Sequence, residues 1–211
     1  MKSKPMLLDK INEREKNYAR DVIGLIGTHH GVGVTHTGLM LAFYMGEELG
    51  KKTAYLECNN HHDMGLIQSA YEWSREEALS FSFHRITCFK EVSRNRIADI
   101  FSDDFECFIL DFGTDFMGNS EEFLRCGTKI VIGGQAEWDQ QKLIHFIEAV
   151  RVIRGNETWL HLIPYANPKI IAKLKNDWKR KICAVPFQAE PTMPSKVTNQ
   201  MFDEIFRFRG R

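Results

Sequence analysis

The stretch from Val22 to Gly50, VIGLIGTHHGVGVTHTGLMLAFYMGEELG, constrains the fold more than any other part of the chain. An apolar run from Val22 to Ile26 reads as a buried strand. It enters a short loop carrying Gly31 and Gly33 and leaves as an amphipathic segment that starts near Thr35 and stops at Gly50. That order is strand, glycine loop, helix. The first N–H groups of a helix lack intrahelical partners and carry the positive end of its dipole, so a glycine loop there lets the backbone close around a phosphate. In the standard phosphate loop a lysine precedes the Ser or Thr. Here Val34 precedes Thr35, which removes a charge-assisted contact worth roughly 1.5 to 3 kcal/mol, or about tenfold or more in affinity.

The helix carries Gly38, Ala42 and Gly46 at four-residue spacing beside Leu39, Met45 and Leu49, a small-residue row that lets it lie close on a sheet. Gly50, followed by Lys51 and Lys52, makes its stop, with glycine for the left-handed cap and cations at the negative helix end. TAYLEC then reads as a second buried strand, ending at Glu57 and the polar cluster Asn59, Asn60, His61, His62 and Asp63. Downstream the pattern predicts a helix over Leu66 to Leu79, a strand over FSFHRITCF, a helix over Ser93 to Phe101, and the apolar strand CFILDFG with Asp111 at its tip. A polar helix around Ser120 to Cys126, the strand TKIVIGG, a helix from Asp139 to Ile153 and the strand WLHLIPYANP follow. A basic helix from Ile170 to Lys181, the strand KICAVPF and a closing helix from about Val197 complete the chain. Strands separated by helices in this way predict an α/β fold, with a mostly parallel central sheet covered by helices on both faces. In such sheets ligands sit at the carboxyl ends of the strands, which brings Gly31, Asn60, Asp111 and Asn167 to one edge.

At 211 residues the chain is long enough for one well-filled domain, and no linker divides it; Met1 to Arg20 reads as a charged lead-in anchored only by Leu7, Leu8 and Ile11. The 28 basic and 28 acidic residues cancel, which excludes global attraction to nucleic acid or anionic lipid and leaves such roles to local patches. Cys58, Cys88, Cys107, Cys126 and Cys183 are scattered and never spaced as CxxC, so neither a disulfide framework nor a zinc knuckle is indicated, and a reduced, cytoplasmic protein is expected. The N-terminus has no signal-peptide run, and no apolar stretch reaches the ~20 residues of a membrane helix.

Taken together, the loop and these later segments resemble the ParA/MinD group of deviant-Walker P-loop ATPases, whose loop runs GKGGVGKTT. Gly31, Val32, Gly33 and Thr35 match that pattern. Thr28 stands at its first glycine, His29 at its early lysine, His30 at the next glycine, Val34 at the Walker lysine and His36 at the second threonine. The resemblance implies a P-loop NTPase fold, with Thr28 to His36 around the phosphates of ATP or ADP and Mg2+ held by Thr35 and the Walker B residue Asp111. It also implies that Asn167 faces the base and that a homodimer forms across the site. Gly113 follows Asp111 as in relatives, Asp115 lies nearby, and Glu57 is the nearest match to the acid that ends the second strand, although the family's DxD arrangement is absent. Phosphoryl transfer depends mostly on electrostatic stabilisation, so the loss of both lysines predicts weak or absent hydrolysis. Within the group the chain is most similar in this respect to TadZ/CpaE-like proteins, some of which have an altered loop and localise a partner machine. The resemblance therefore implies a localisation or assembly factor for a protein machine such as a pilus or secretion apparatus. The alternative is an active ATPase of DNA partitioning or cell-division site placement, with histidines in place of the lysines.

Other readings compete at particular residues. A dinucleotide-binding fingerprint fails because His36 occupies the third glycine's place, although Glu57 would suit a ribose-binding acid. His29, His30, His36, His61 and His62, with Asp63 and Asp111, have the ligand types of a transition-metal site, against the alternative of a polar surface loop. The basic run Lys169, Lys173, Lys175, Lys179, Arg180 and Lys181 suits a phosphate backbone but reads as a solvated face, so nucleic acid is not the expected partner. The tail over residues 201–211, MFDEIFRFRGR, is amphipathic and resembles the membrane-surface helix that ends MinD proteins, which implies weak contact with the inner face of the membrane; a terminal helix packed on the domain is the alternative.

Overall fold

The computed structural model describes residues 20–71 and 78–206. The lead-in up to residue 19, residues 72–77 of the helix expected over Leu66 to Leu79, and tail residues 207–211 lie outside the described residues. In chain order the elements are β1 (Asp21–Gly27), α1 (Val34–Phe43) running into a π-helical turn (Tyr44–Glu48), β2 (Thr53–Glu57), α2 (Asp63–Tyr71), β3 (Ser80–Phe83), β4 (Ile86–Phe89), α3 (Arg94–Phe101) and β5 (Cys107–Asp111). Then follow α4 (Phe116–Arg125), β6 (Thr128–Ile132), α5 (Glu137–Ala149), β7 (Leu160–Pro164), α6 (Pro168–Trp178), β8 (Lys181–Val185) and α7 (Lys196–Phe206).

The eight strands form one sheet in the order β3-β4-β2-β5-β1-β6-β7-β8. All neighbours are parallel except β3, which pairs antiparallel with β4. β1 is central, between β5 and β6, and its burial on both faces matches its unbroken apolar run. Side chains alternate between two cores. Leu39 of α1, Met64 of α2 and Phe202 of α7 fill one face; Ile97 of α3, Phe123 of α4, Leu143 of α5 and Leu174 of α6 fill the other. The fold class read from the sequence is therefore the one observed.

One expected element is corrected. FSFHRITCF is a hairpin rather than one strand: His84 takes a left-handed φ of 49°, the chain reverses, and Ser80 pairs with Phe89. The alternating pattern runs through both arms without a glycine or proline to mark the turn, so periodicity alone could not reveal it. The small-residue row does bring α1 close to the sheet, since a Cβ on Gly46 would come within 2.7 Å of Ile86. Gly50 ends that helix with the expected positive φ, 69°.

Candidate functional site

β1 ends at Gly27, and the loop from Thr28 to Gly33 turns the chain into α1 at the carboxyl edge of the sheet. Gly31 and Gly33 have φ of 78° and 95°, a left-handed backbone that glycine adopts without strain. No side chain caps α1, so its first-turn N–H groups are left to a ligand or to water. The strand tips are tied together, with Gly27 N–H donating to Gly113 O (2.8 Å) and Cys58 N–H to Asp111 O (2.8 Å). The register aligns Leu25, Glu57 and Asp111 across β1, β2 and β5.

Thr35 and Asp111 meet at this edge. The Thr35 hydroxyl donates to Asp111 Oδ2 at 2.7 Å, Tyr55 OH donates to the same oxygen at 2.8 Å, and Gly113 N–H donates to Oδ1 at 2.9 Å. Asp111 is fully buried. Burial pushes its carboxyl above the ordinary range, against the opposing donation from Thr35, Gly113 and Tyr55. A hydroxyl and a carboxylate brought together at a helix N-terminus are the hard oxygen donors that suit the water shell of Mg2+, so this half of the site fits the ion.

The side chains at the lysine positions do not supply charge. Val34 is buried, and a Cβ on Gly27 would lie 2.5 Å from its Cγ2 and 2.8 Å from Cγ1 of Val32, so the two valines close over the end of β1. His29 turns sideways: its Nδ1 bonds Thr28 Oγ1 (2.9 Å) and its Nε2 lies 3.1 Å from Asp139 Oδ1. Burial lowers the His29 pKa more than Asp139 raises it, which favours the neutral imidazole. The loop thus pairs two left-handed glycines and an uncapped helix start with an apolar side chain at position 34.

The remaining expected residues separate. His36 Nε2 is held by the Gln188 carbonyl at 2.7 Å, and His62 pairs with Glu91 at 3.0 Å. Only His30 and His61 meet, ring centroids 5.2 Å apart, and no group of three metal-ligating side chains forms among the described residues. Glu57 is enclosed in β2, its oxygens accepting Met64 N–H (3.0 Å) and Glu91 N–H (3.2 Å), so it organises two loops. Asp115 caps α4 through Gly118 N–H at 2.8 Å. Asn167 caps α6, its Oδ1 accepting Lys169 N–H at 2.9 Å, and it stands on the rim one strand beyond β6.

Sequence reasoning missed Tyr55. Its position within a buried strand read as core, yet a buried phenol needs a partner for its OH, and that requirement was the available signal. Gly38 makes room for it, since a Cβ there would lie 3.1 Å from Tyr55 OH. The pair Tyr165 and Phe187, centroids 5.3 Å apart at the ends of β7 and β8, was also missed.

No protein-family model matches the sequence, and no curated protein is significantly similar to it. Solved structures do resemble it. A chain of the MinC:MinD cell division protein complex of Aquifex aeolicus superposes with a TM-score of 0.69 at 11% identity, covering 91% of this chain and 97% of that one. The septum site-determining protein MinD of Pyrococcus horikoshii, complexed with Mg-ADP, gives 0.66 at 11%, covering 90% and 98%. A ParA family ATPase of Chlorobium tepidum gives 0.61 at 10%, covering 90% and 93%. With its glycine loop, its Thr35–Asp111 contact and this likeness along nearly its whole length, the chain has the α/β fold of the ParA/MinD-type P-loop NTPases.

Proposed function

We propose that this chain is a nucleotide-responsive positioning factor: a ParA/MinD-type domain that holds ATP or ADP with Mg2+ through backbone and oxygen donors, hydrolyses slowly or not at all, and localises a protein partner. The observation that carries this reading is the 2.7 Å hydrogen bond from Thr35 to buried Asp111 beside an uncapped helix and a buried Val34. In it, Thr35 and Asp111 orient the water shell of Mg2+, and the N–H groups of Gly33, Val34 and Thr35 face the phosphates. The ion, when bound, would neutralise phosphate charge. Gly31 and Gly33 keep the loop backbone open, and Asn167 lies toward the base. Without a cation at position 34 or 29, the loop lacks side-chain charge for the leaving phosphate and is left with backbone donors and the ion, which supports binding over turnover.

By analogy with TadZ/CpaE-like proteins, the partner is a component of a pilus or secretion machine, and the chain acts in the cytoplasm, where five unpaired cysteines are stable. No described helix is long and apolar enough to cross a membrane. Thermal scanning of the full chain with millimolar ADP and ATP, with and without Mg2+, tests the reading. A Mg-dependent rise of several degrees that disappears in Asp111→Ala is expected, alongside no phosphate release. An unchanged melting temperature with every nucleotide sinks the binding role. Phosphate release abolished by Asp111→Ala would make the chain a working ATPase instead.

A further inference from the structure

β8 closes one side of the sheet, paired only along its inner edge with β7. Within a parallel ladder the N–H and C=O of one residue point to the same side, and successive residues alternate. Tyr165 N–H donates to Val185 O (2.8 Å), so Lys181, Cys183 and Val185 turn their backbone groups to β7, while Ile182 and Ala184 turn theirs outward. Among the described residues, no other backbone segment bonds those outward groups.

That edge is the floor of a groove of about 810 Å³, walled by Ile171 and Lys175 of α6 on one side and by Met201, Glu204 and Ile205 of α7 on the other. Ile182 and Ala184 pack into the layer of α6, and Cys183 and Val185 into the layer of α7. Both helical layers thus reach past the last strand and leave space for one more, whose alternate side chains would meet an apolar wall on each side. A second copy would bring its own flanking helices against these walls, whereas a bare extended segment brings none, and strand pairing needs an approach to ~4.8 Å. Charge then narrows the choice. Lys175 and Lys181 line one end of the groove, with Lys179 and Arg180 in the turn between them, against Glu204 on the α7 wall. Neither lining lysine makes an ion pair among the described residues.

We infer that this groove binds an extended segment of a partner protein by strand addition to β8: about five residues, apolar in the middle and acidic at the end that meets Lys175 and Lys181. The inference is independent of whether nucleotide binds at the loop.

The test is fluorescence anisotropy of a labelled heptapeptide, two glutamates followed by alternating valine and alanine, titrated with the full chain. Saturable binding is expected, with slowed amide exchange at Ile182 and Ala184. Ala184→Pro removes an outward donor at an edge position that tolerates proline, so the fold survives and affinity falls about tenfold. Lys175→Glu with Lys181→Glu should cost about tenfold or more, and the same variant should now prefer a peptide with two lysines in place of the glutamates. Circular dichroism checks that each variant is folded. The inference is overturned by absent binding, by equal binding of the lysine peptide to the wild-type chain, or by an Ala184→Pro variant that binds as before. It is equally overturned if the peptide binds only a chain ending at Phe206, since residues 207–211 then hold the groove, or if Ala184→Pro abolishes self-association, since a second copy then holds it.

Discussion

At the scale of single residues, Val34 and Asp111 mark the apolar and the oxygen-bearing halves of the site. Val34 is 6% exposed and packs against the end of β1, and in the proposed reading its backbone faces the phosphates. Val34→Lys should therefore tighten Mg-ADP binding about tenfold or more, read by calorimetry. The same change should lower thermal stability, since it removes roughly 1.5 to 3 kcal/mol of buried valine. Lower stability without tighter binding would mean that position 34 does not face the phosphates. Asp111 argues in the opposite direction. Its carboxyl is held above its ordinary range by burial, so the folded state binds that proton more tightly than the unfolded chain does. The stability this provides is fully present below about pH 3.9 and lost as pH rises through the folded value. Asp111→Asn removes that titration, and the hydroxyls of Thr35 and Tyr55 can turn to accept from the new amide. Thermal scans should show the variant melting above the wild type at pH 7.5, with the gain shrinking toward pH 4, and with any Mg-dependent nucleotide shift abolished.

At the scale of elements, α1 and α7 show what was legible and what was not. The glycine loop, the small-residue row and the aspartate at a strand tip were legible because each follows from a local requirement: positive φ, close helix–sheet approach and an apolar run ending in one carboxylate. The β3–β4 hairpin was hidden because its turn uses His84 rather than glycine. The role of Tyr55 was hidden because its partners, Thr35 and Asp111, come from other elements and meet it only in the folded chain. The lost histidine cluster has the same cause, since Asp139 and Gln188 each claim a ring that sequence spacing had left free. For α7 the sequence left two readings, a lipid-facing helix or a packed one. Its described part is packed: Phe202 is fully buried with its ring 5.3 Å from that of Tyr44, whose OH donates to Asp203 at 2.5 Å. Phe202→Ala should cost about 3–5 kcal/mol in urea unfolding. A loss below about 1 kcal/mol would show that α7 is only loosely docked and free to leave for another surface.

At the scale of the whole molecule, the two helical layers make the sheet a partition, and a titratable group enclosed in it couples global stability to pH. His161 is such a group. It lies in β7 between Val131 and Ile182, its direct register partners on β6 and β8, and it is almost fully buried. Burial first, and the charge of Arg180 second, lower its pKa to about 4. A base with a depressed folded pKa contributes stability above its unfolded value of about 6.5, and that stability falls away as pH drops toward 4. The loss amounts to about 2 kcal/mol by pH 5, because the unfolded chain takes up a proton there that the sheet refuses. Asp111 and Glu57, both raised by burial, change with the opposite sign over acidic pH. The wild-type curve alone would therefore mix the terms, and a difference between two proteins separates them. His161→Leu keeps a side chain of similar bulk and removes only this titration. Between pH 7.5 and pH 5, the urea-unfolding free energy of the wild type should fall about 2 kcal/mol further than that of His161→Leu. Parallel curves would place the acid sensitivity elsewhere, and would mean that the sheet opens enough around β7 for His161 to reach water.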